Sequence, residues 1–148
     1  MATGDVVVFD ESKAFMIDGG WEAADDIKCA VCDNTVAPTA ATATPALADF
    51  TEVGVAGSYT AGGTSLGTLT TAVTEAAGVM TFDSATNPTW AQHASNDVDA
   101  WWGIIYNDTA ITPTADPAIA FVELGGPVDM SAGALTITWN ASGIFTIT

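Results

Sequence analysis

A chain of 148 residues, 49% of them apolar, is long enough to bury about 70% of its unfolded surface as one domain. Two Lys, no Arg and 18 acidic residues give a formal charge of −16. Almost nothing can therefore displace counterions from phosphate, which argues against partners that are nucleic acids or anionic membranes. No apolar run approaches the ~18 residues of a membrane span, and no basic stretch followed by an apolar core marks a signal peptide. The acids are spread along the chain, so they serve either solubility at high copy number or high salt, or else cation binding or docking on a basic surface.

In chain order, Asp5 to Phe9 is a short apolar run that reads as an N-terminal arm or edge strand, residues 1–9. Asp10 is an N-cap for a short helix over residues 11–17, within about 10–18, stopped by Gly19-Gly20. Phe15 and Met16 would hold that helix on the sheet, with Trp21 just beyond. Residues 27–32 alternate as a strand. Residues 33–48, rich in Thr, Ala and Pro, form a long loop. A strand is expected at 50–55, then a Tyr59-Thr-Ala-Gly-Gly turn, then a strand and loop to Ala77 holding Leu66, Leu69 and Val73. Residues 79–83 form a strand, and Asn87-Pro88 turns into a short one near Trp90.

Residues 100–107, Ala-Trp-Trp-Gly-Ile-Ile-Tyr-Asn, are the centre of the fold. At a period of two, one face carries Ala100, Trp102, Ile104 and Tyr106, and the other Trp101, Gly103, Ile105 and Asn107. Both are mostly apolar, as in a strand covered on both sides. A strand at 119–124 ends at Gly125-Gly126-Pro127. Residues 135–140 then alternate and turn through Ala141-Ser-Gly143 into 144–148, predicting a terminal hairpin.

About eight short strands between Gly/Pro turns predict an all-β fold, a single β-sandwich or jelly-roll-like domain over residues 10–148 with one short N-terminal helix. Its expected core holds Ile27, Cys29, Val31, Trp102, Ile104, Tyr106, Phe121, Ile137, Trp139, Phe145 and Ile147.

Chemistry is sparse. Cys29 and Cys32 form a Cys-x-x-Cys, but there is no second pair, and His93 is the only histidine. Positions three apart on a strand face opposite ways, which opposes a shared metal or disulfide, so both read as buried structural thiols. Nothing around His93 forms a nucleophile elbow, and Ala61-Gly-Gly-Thr lacks the Lys and helix of a phosphate loop. Asp97 and Asp99 are weak Ca²⁺ candidates, but the twelve-residue calcium loop is absent and Asp in loops usually shapes turns. Asn107-Asp-Thr and Asn140-Ala-Ser match the glycosylation pattern and read as turns. No active site, cofactor or metal is expected. Exposed anchors for a partner are sought instead among Val6, Val7, Val8, Phe9, Trp21, Trp90 and Trp101.

Several segments, in the same order and over nearly the whole chain, resemble the small all-β virion structural proteins of tailed bacteriophages, cyanophages and other marine phages included. They are the N-terminal helix followed by Gly-Gly, Ile27-Lys-x-Ala30, Tyr59-Thr-Ala-Gly-Gly, the strand ending near Asp83 with Thr89-Trp90 after it, Gly103-Ile-Ile-Tyr-Asn-Asp-Thr109, and Leu135-Thr-Ile-Thr-Trp-Asn140 to Gly143-Ile-Phe-Thr-Ile-Thr148. Cys29 and Cys32 stand where apolar residues are expected, and Trp101-Trp102 is bulkier than usual.

The resemblance implies a particle component made in the host cytoplasm and located in the virion, with major capsid protein or other virion proteins as partners. The leading expectation is a decoration or cement protein on the capsid exterior, a trimer or dimer, with the arm of residues 1–9 adding a strand to a neighbour. On that mechanism, deleting the arm would abolish particle binding and leave the fold intact. A tail, adaptor or fibre-base component is the alternative. A carbohydrate- or cation-binding β-sandwich module is the second, with an exposed Trp as stacking platform and Asp97 and Asp99 as ligands.

Overall fold

The computed structural model describes residues 2–18 and 21–147. In chain order the elements are β1 (Val6–Val8), α1 (Ser12–Asp18), β2 (Asp26–Cys32), β3 (Thr64–Thr68), α2 (Leu69–Ala72), β4 (Val73–Ala76) and β5 (Val79–Phe82). There follow β6 (Thr89–Trp90), β7 (Ala100–Asn107), β8 (Ala118–Val128), β9 (Leu135–Thr136) and β10 (Phe145–Ile147). The chain is mostly β, in antiparallel sheets ordered β1-β8-β7-β2-β3, β10-β5-β4 and β6-β9. The predicted Gly19-Gly20 stop, Met1 and Thr148 lie outside the described residues.

The large sheet is built on β7, with the bounds its composition predicts. Its aromatic and β-branched side chains suit a pleated surface, and β2 and β8 hydrogen-bond to its two edges. Every residue from Trp102 to Asn107 is buried. Trp102, Ile104 and Tyr106 join Phe9, Phe50 and Phe121 in one apolar layer. Ile105 joins Ile27, Cys29, Val31, Phe82, Ile137 and Phe145 in the other. The smaller sheets thus cover one face of the large sheet, and the 47–50 segment and Phe9 cover the other. At Gly103 a Cβ would sit 2.9 Å from Val122 Cγ1 and 3.0 Å from Ile137 Cδ1, so a glycine lets the layers close there.

The period of two fails at the start of β7. Ala100 pairs with Val128 but Trp102 with Glu123, so β8 carries extra residues in a bulge. Gly125, at φ 76°, takes the left-handed conformation that glycine adopts without strain. Ala100 consequently enters the second layer while Trp101 leans on the first beside Trp102. That reverses the faces the alternation predicts for these two residues. For the same reason β8 runs on through Gly125-Gly126-Pro127, where the sequence predicts an end.

Three other expectations are corrected. The terminal hairpin does not form: β9 pairs with β6 and β10 with β5. Residues 50–55 make only an isolated bridge, Glu52 to Cys32, after a single 3₁₀ turn at Leu47–Asp49. Residues 69–72 are helical where a strand and loop are predicted. The helix α1 starts at Ser12, whose buried hydroxyl turns back to Phe9 O at 2.7 Å and Ile119 O at 3.1 Å.

Candidate contact surface

The N-terminal segment is no free arm. Val6, Val7 and Val8 pair with Val122, Phe121 and Ala120, making β1 an edge strand whose side chains are half-buried. Phe9 is fully buried. Its ring lies 5.0 Å from Phe121 and 5.9 Å from Phe50, centroid to centroid, and its N–H donates to Ile119 O at 3.0 Å. Phe9 is therefore core, which corrects its assignment as an interface residue, and losing residues 1–9 would open a core layer.

Trp90 is corrected in the same way: it is buried, with its ring 6.0 Å from that of Tyr59. Trp21 is half-buried against the second layer. Trp101 is half-buried too, and its Nε1 donates to Asp99 Oδ1 at 2.7 Å. Of the expected core residues, Trp139 and Ile147 lie at the margin, half-buried against the second layer. The other nine are buried.

Asp97 and Asp99 act as turn residues. Asp97 Oδ1 accepts the Val98 and Asp99 N–H groups and Oδ2 accepts Gly54 N–H. These bonds take three of the roughly four acceptor sites of the Asp97 carboxylate. Among the described residues no group of three or more His, Cys, Asp or Glu is arranged to hold a metal. His93 is exposed, and its Nδ1 accepts Ser95 N–H.

The two thiols fall where strand geometry places them, Cys29 in one apolar layer and Cys32 in the other, both buried and free. Burial pushes the Cys29 thiol up to about 12 and raises that of Cys32 as well, with Glu52 adding to the latter. Neither is a nucleophile at neutral pH.

The densest polar cluster binds the Tyr59–Gly63 turn to β2 and β7. Tyr59 Oη accepts Val31 N–H at 3.0 Å and donates to Glu52 Oε1 at 2.8 Å, and Glu52 also accepts Gly62 N–H. Tyr106 Oη reaches Gly62 O at 2.8 Å. Beside it, Lys28 Nζ lies 2.7 Å from Asp108 Oδ2. Burial raises the pKa of both phenols. At Gly63, φ 72°, a Cβ would fall 1.9 Å from Cys29 O. Glu52 carried no sequence signal, being one acid among many. The cluster clamps a turn onto β2 and β7.

Among the described residues four large apolar side chains are exposed, Val36 the least of them. Val55, Val98 and Ile111 are 58%, 55% and 80% exposed. Asp97 links the first two through Gly54 and Val98, and Asp99 links them to Trp101. The sequence reading missed both valines, since a lone Val in a polar loop has no periodicity to mark it. Compared with protein families, curated proteins and solved structures, the chain matches none.

Proposed function

We propose that this chain is a non-enzymatic structural protein of a phage particle, a decoration or cement protein seated on the outside of the capsid lattice. The observation that carries the reading is the apolar group Val55, Val98 and half-buried Trp101, held on one hydrogen-bonded turn system and interleaved with Asp97 and Asp99. Exposed valines on acidic loops suit a partner that offers apolar side chains with Lys or Arg among them. They suit a second copy poorly, because two chains of −16 repel. A dimer or trimer would use other surfaces.

The fold supports the same reading. Antiparallel sheets packed on either side of a shared apolar interior are the kind of rigid all-β scaffold that such a role needs. The lengthwise order of motifs resembling phage virion proteins supports it too. Docking here runs through the β7 end of the large sheet, with β1 kept in its own sheet.

Copy number in purified particles tests the proposal. A protease other than trypsin is needed, because the chain has two Lys and no Arg. Hundreds of copies per particle support lattice decoration, and six to a few dozen would move the protein to the neck or tail. Absence from particles overturns the reading. Trp101→Ala with Val98→Ser should release the protein from particles while its isolated fold persists, and retention would exclude this surface.

A further inference from the structure

Asp116-Pro117 is the one Asp–Pro bond in the chain, and the fold holds it under strain. Asp116 sits at φ 51°, in the left-handed region that residues other than glycine enter at a cost. A following proline favours extended backbone at negative φ, so the conformation is disfavoured twice over. Neighbours on both sides keep it there. The Asp116 N–H donates to Ala110 O at 3.1 Å, and past the bond Pro117 O accepts the Asn107 N–H at 3.0 Å. Pro117 also bridges to Ala46, and the next residue, Leu47, donates its N–H to Asp116 O at 3.0 Å.

The groups around the bond favour attack on its carbonyl. The Leu47 N–H rests on the oxygen that gains negative charge when the carbonyl carbon is attacked. The carboxyl of Asp116 itself is placed by covalent geometry to close a five-membered ring on that carbon, so no second residue has to supply a nucleophile. Pro117 provides a tertiary amide nitrogen as the leaving group. Burial, then the negative charge of Asp108, raise the pKa of the Asp116 carboxyl. Glu52 adds to that rise and Lys28 opposes it. The carboxyl therefore holds its proton in milder acid than a free aspartyl group. It is only half-buried, so water reaches the site.

We infer that Asp116-Pro117 is a self-cleavage site, at which the folded chain cuts its own backbone in mild acid. An oxygen of the protonated Asp116 carboxyl bonds to the Asp116 carbonyl carbon. The bond from that carbon to the Pro117 nitrogen breaks, and the carboxyl proton passes to the departing nitrogen. The remaining ring is a cyclic anhydride, which one water opens to leave Asp116 with two free carboxyls. The backbone strain is released as the bond parts. The pieces, 1–116 and 117–148, stay together, because β8, β9 and β10 lie beyond the cut and pair with β1, β7, β6 and β5. The product is a nicked protein of unchanged fold. The site is separate from the Val55, Val98 and Trp101 surface and is independent of the particle assignment.

The test incubates the whole chain at about pH 5 and weighs it under denaturing conditions, with tryptophan fluorescence reporting the fold. Two fragments should appear whose masses sum to the intact chain plus one water, while native gel filtration shows a single species. A peptide of residues 111–121 carries the same bond without the fold. The folded chain should cleave about fivefold faster than the peptide or more, the factor that the lower end of such backbone strain supplies. Asp116→Asn keeps a residue that tolerates left-handed backbone and removes the attacking oxygen, so cleavage should stop. Asp108→Asn removes a negative charge and lets Lys28 favour ionisation of Asp116, so the rate profile should move to lower pH.

A folded chain that stays intact, or that cleaves no faster than the peptide, would overturn the inference. Cleavage undiminished in Asp116→Asn would overturn the role given to that carboxyl. A profile unmoved in Asp108→Asn would overturn the part given to its neighbour. None of these results touches the copy-number measurement, so the two readings fail separately.

Discussion

Phe9→Ala discriminates sharply between a chain with a detachable arm and a chain whose first strand closes its core. Phe9 is fully buried and packs its ring against Phe121 and Phe50. Truncating a buried Phe costs about 3–5 kcal/mol in lost transfer energy and residual cavity. Aromatic pairing adds about 0.5–1.5 kcal/mol per pair beyond area, which favours the upper part of that range. Collapse is restricted, because β1 and the Phe9 N–H remain bonded to β8. The expected loss is about 4–5 kcal/mol, a large share of the ~5–15 kcal/mol that keeps a domain folded. Urea unfolding followed by tryptophan fluorescence reads it, Trp102 being a reporter 6.1 Å from Phe121. The midpoint should drop with the slope unchanged. A half-buried neighbour, Val7→Ala, should cost about 1 kcal/mol. If Phe9→Ala costs less than about 1 kcal/mol, the residue is not in the core and the free arm returns.

Alkaline pH should destabilise the protein. The Cys29 thiol is raised from 9.0 to about 12 by burial, so between those values the folded state keeps a proton that the unfolded chain releases. Stability is full below pH 9 and falls towards pH 12. Cys32 and the two phenols shift in the same direction. A melting temperature constant from pH 8 to 10.5, or native thiols reacting with Ellman's reagent as fast as in urea, would contradict this. Tyr59→Phe leaves the Val31 N–H unpaired, and denaturant unfolding should show a loss of about 1–3 kcal/mol. A neutral result would mean the clamp is not made. Gly63→Ala drives a Cβ into the Cys29 carbonyl at a positive φ and should cost about 3 kcal/mol or more, seen as a collapse of soluble yield or melting temperature. A wild-type melting curve would refute the close approach of that turn to β2.

β7 was legible because burial on both faces imprints itself on every residue of the strand, and no competing element produces eight residues of that composition. The split of Cys29 and Cys32 followed from the same alternation. Pairing was not legible. Residues 135–140 and 144–147 alternate as a hairpin would, but alternation records which face is buried and not which strand lies alongside. Here β6 and β5 take those positions, both remote in sequence. The β8 bulge was hidden because Gly-Gly-Pro reads equally as a stop and as a place where a strand absorbs extra residues. Phe9 and Trp90 illustrate a third limit. A large aromatic is chemically the same whether it anchors a partner or fills a core, and only the surrounding chain decides. Val55 and Val98 are the converse, visible as a surface only once Asp97 brings their loops together.

The large sheet divides the interior into two apolar compartments, one around Phe9 and Trp102 and one around Phe82 and Ile137. Damage should therefore stay local. Losses from one substitution in each, such as Phe9→Ala with Phe82→Ala, should sum, whereas Phe9→Ala with Phe121→Ala should fall short of the sum because those rings share one void. Sequence change can then proceed by halves: the side bearing the small sheets can drift in size and composition while the side around Phe9 and Trp102 stays fixed.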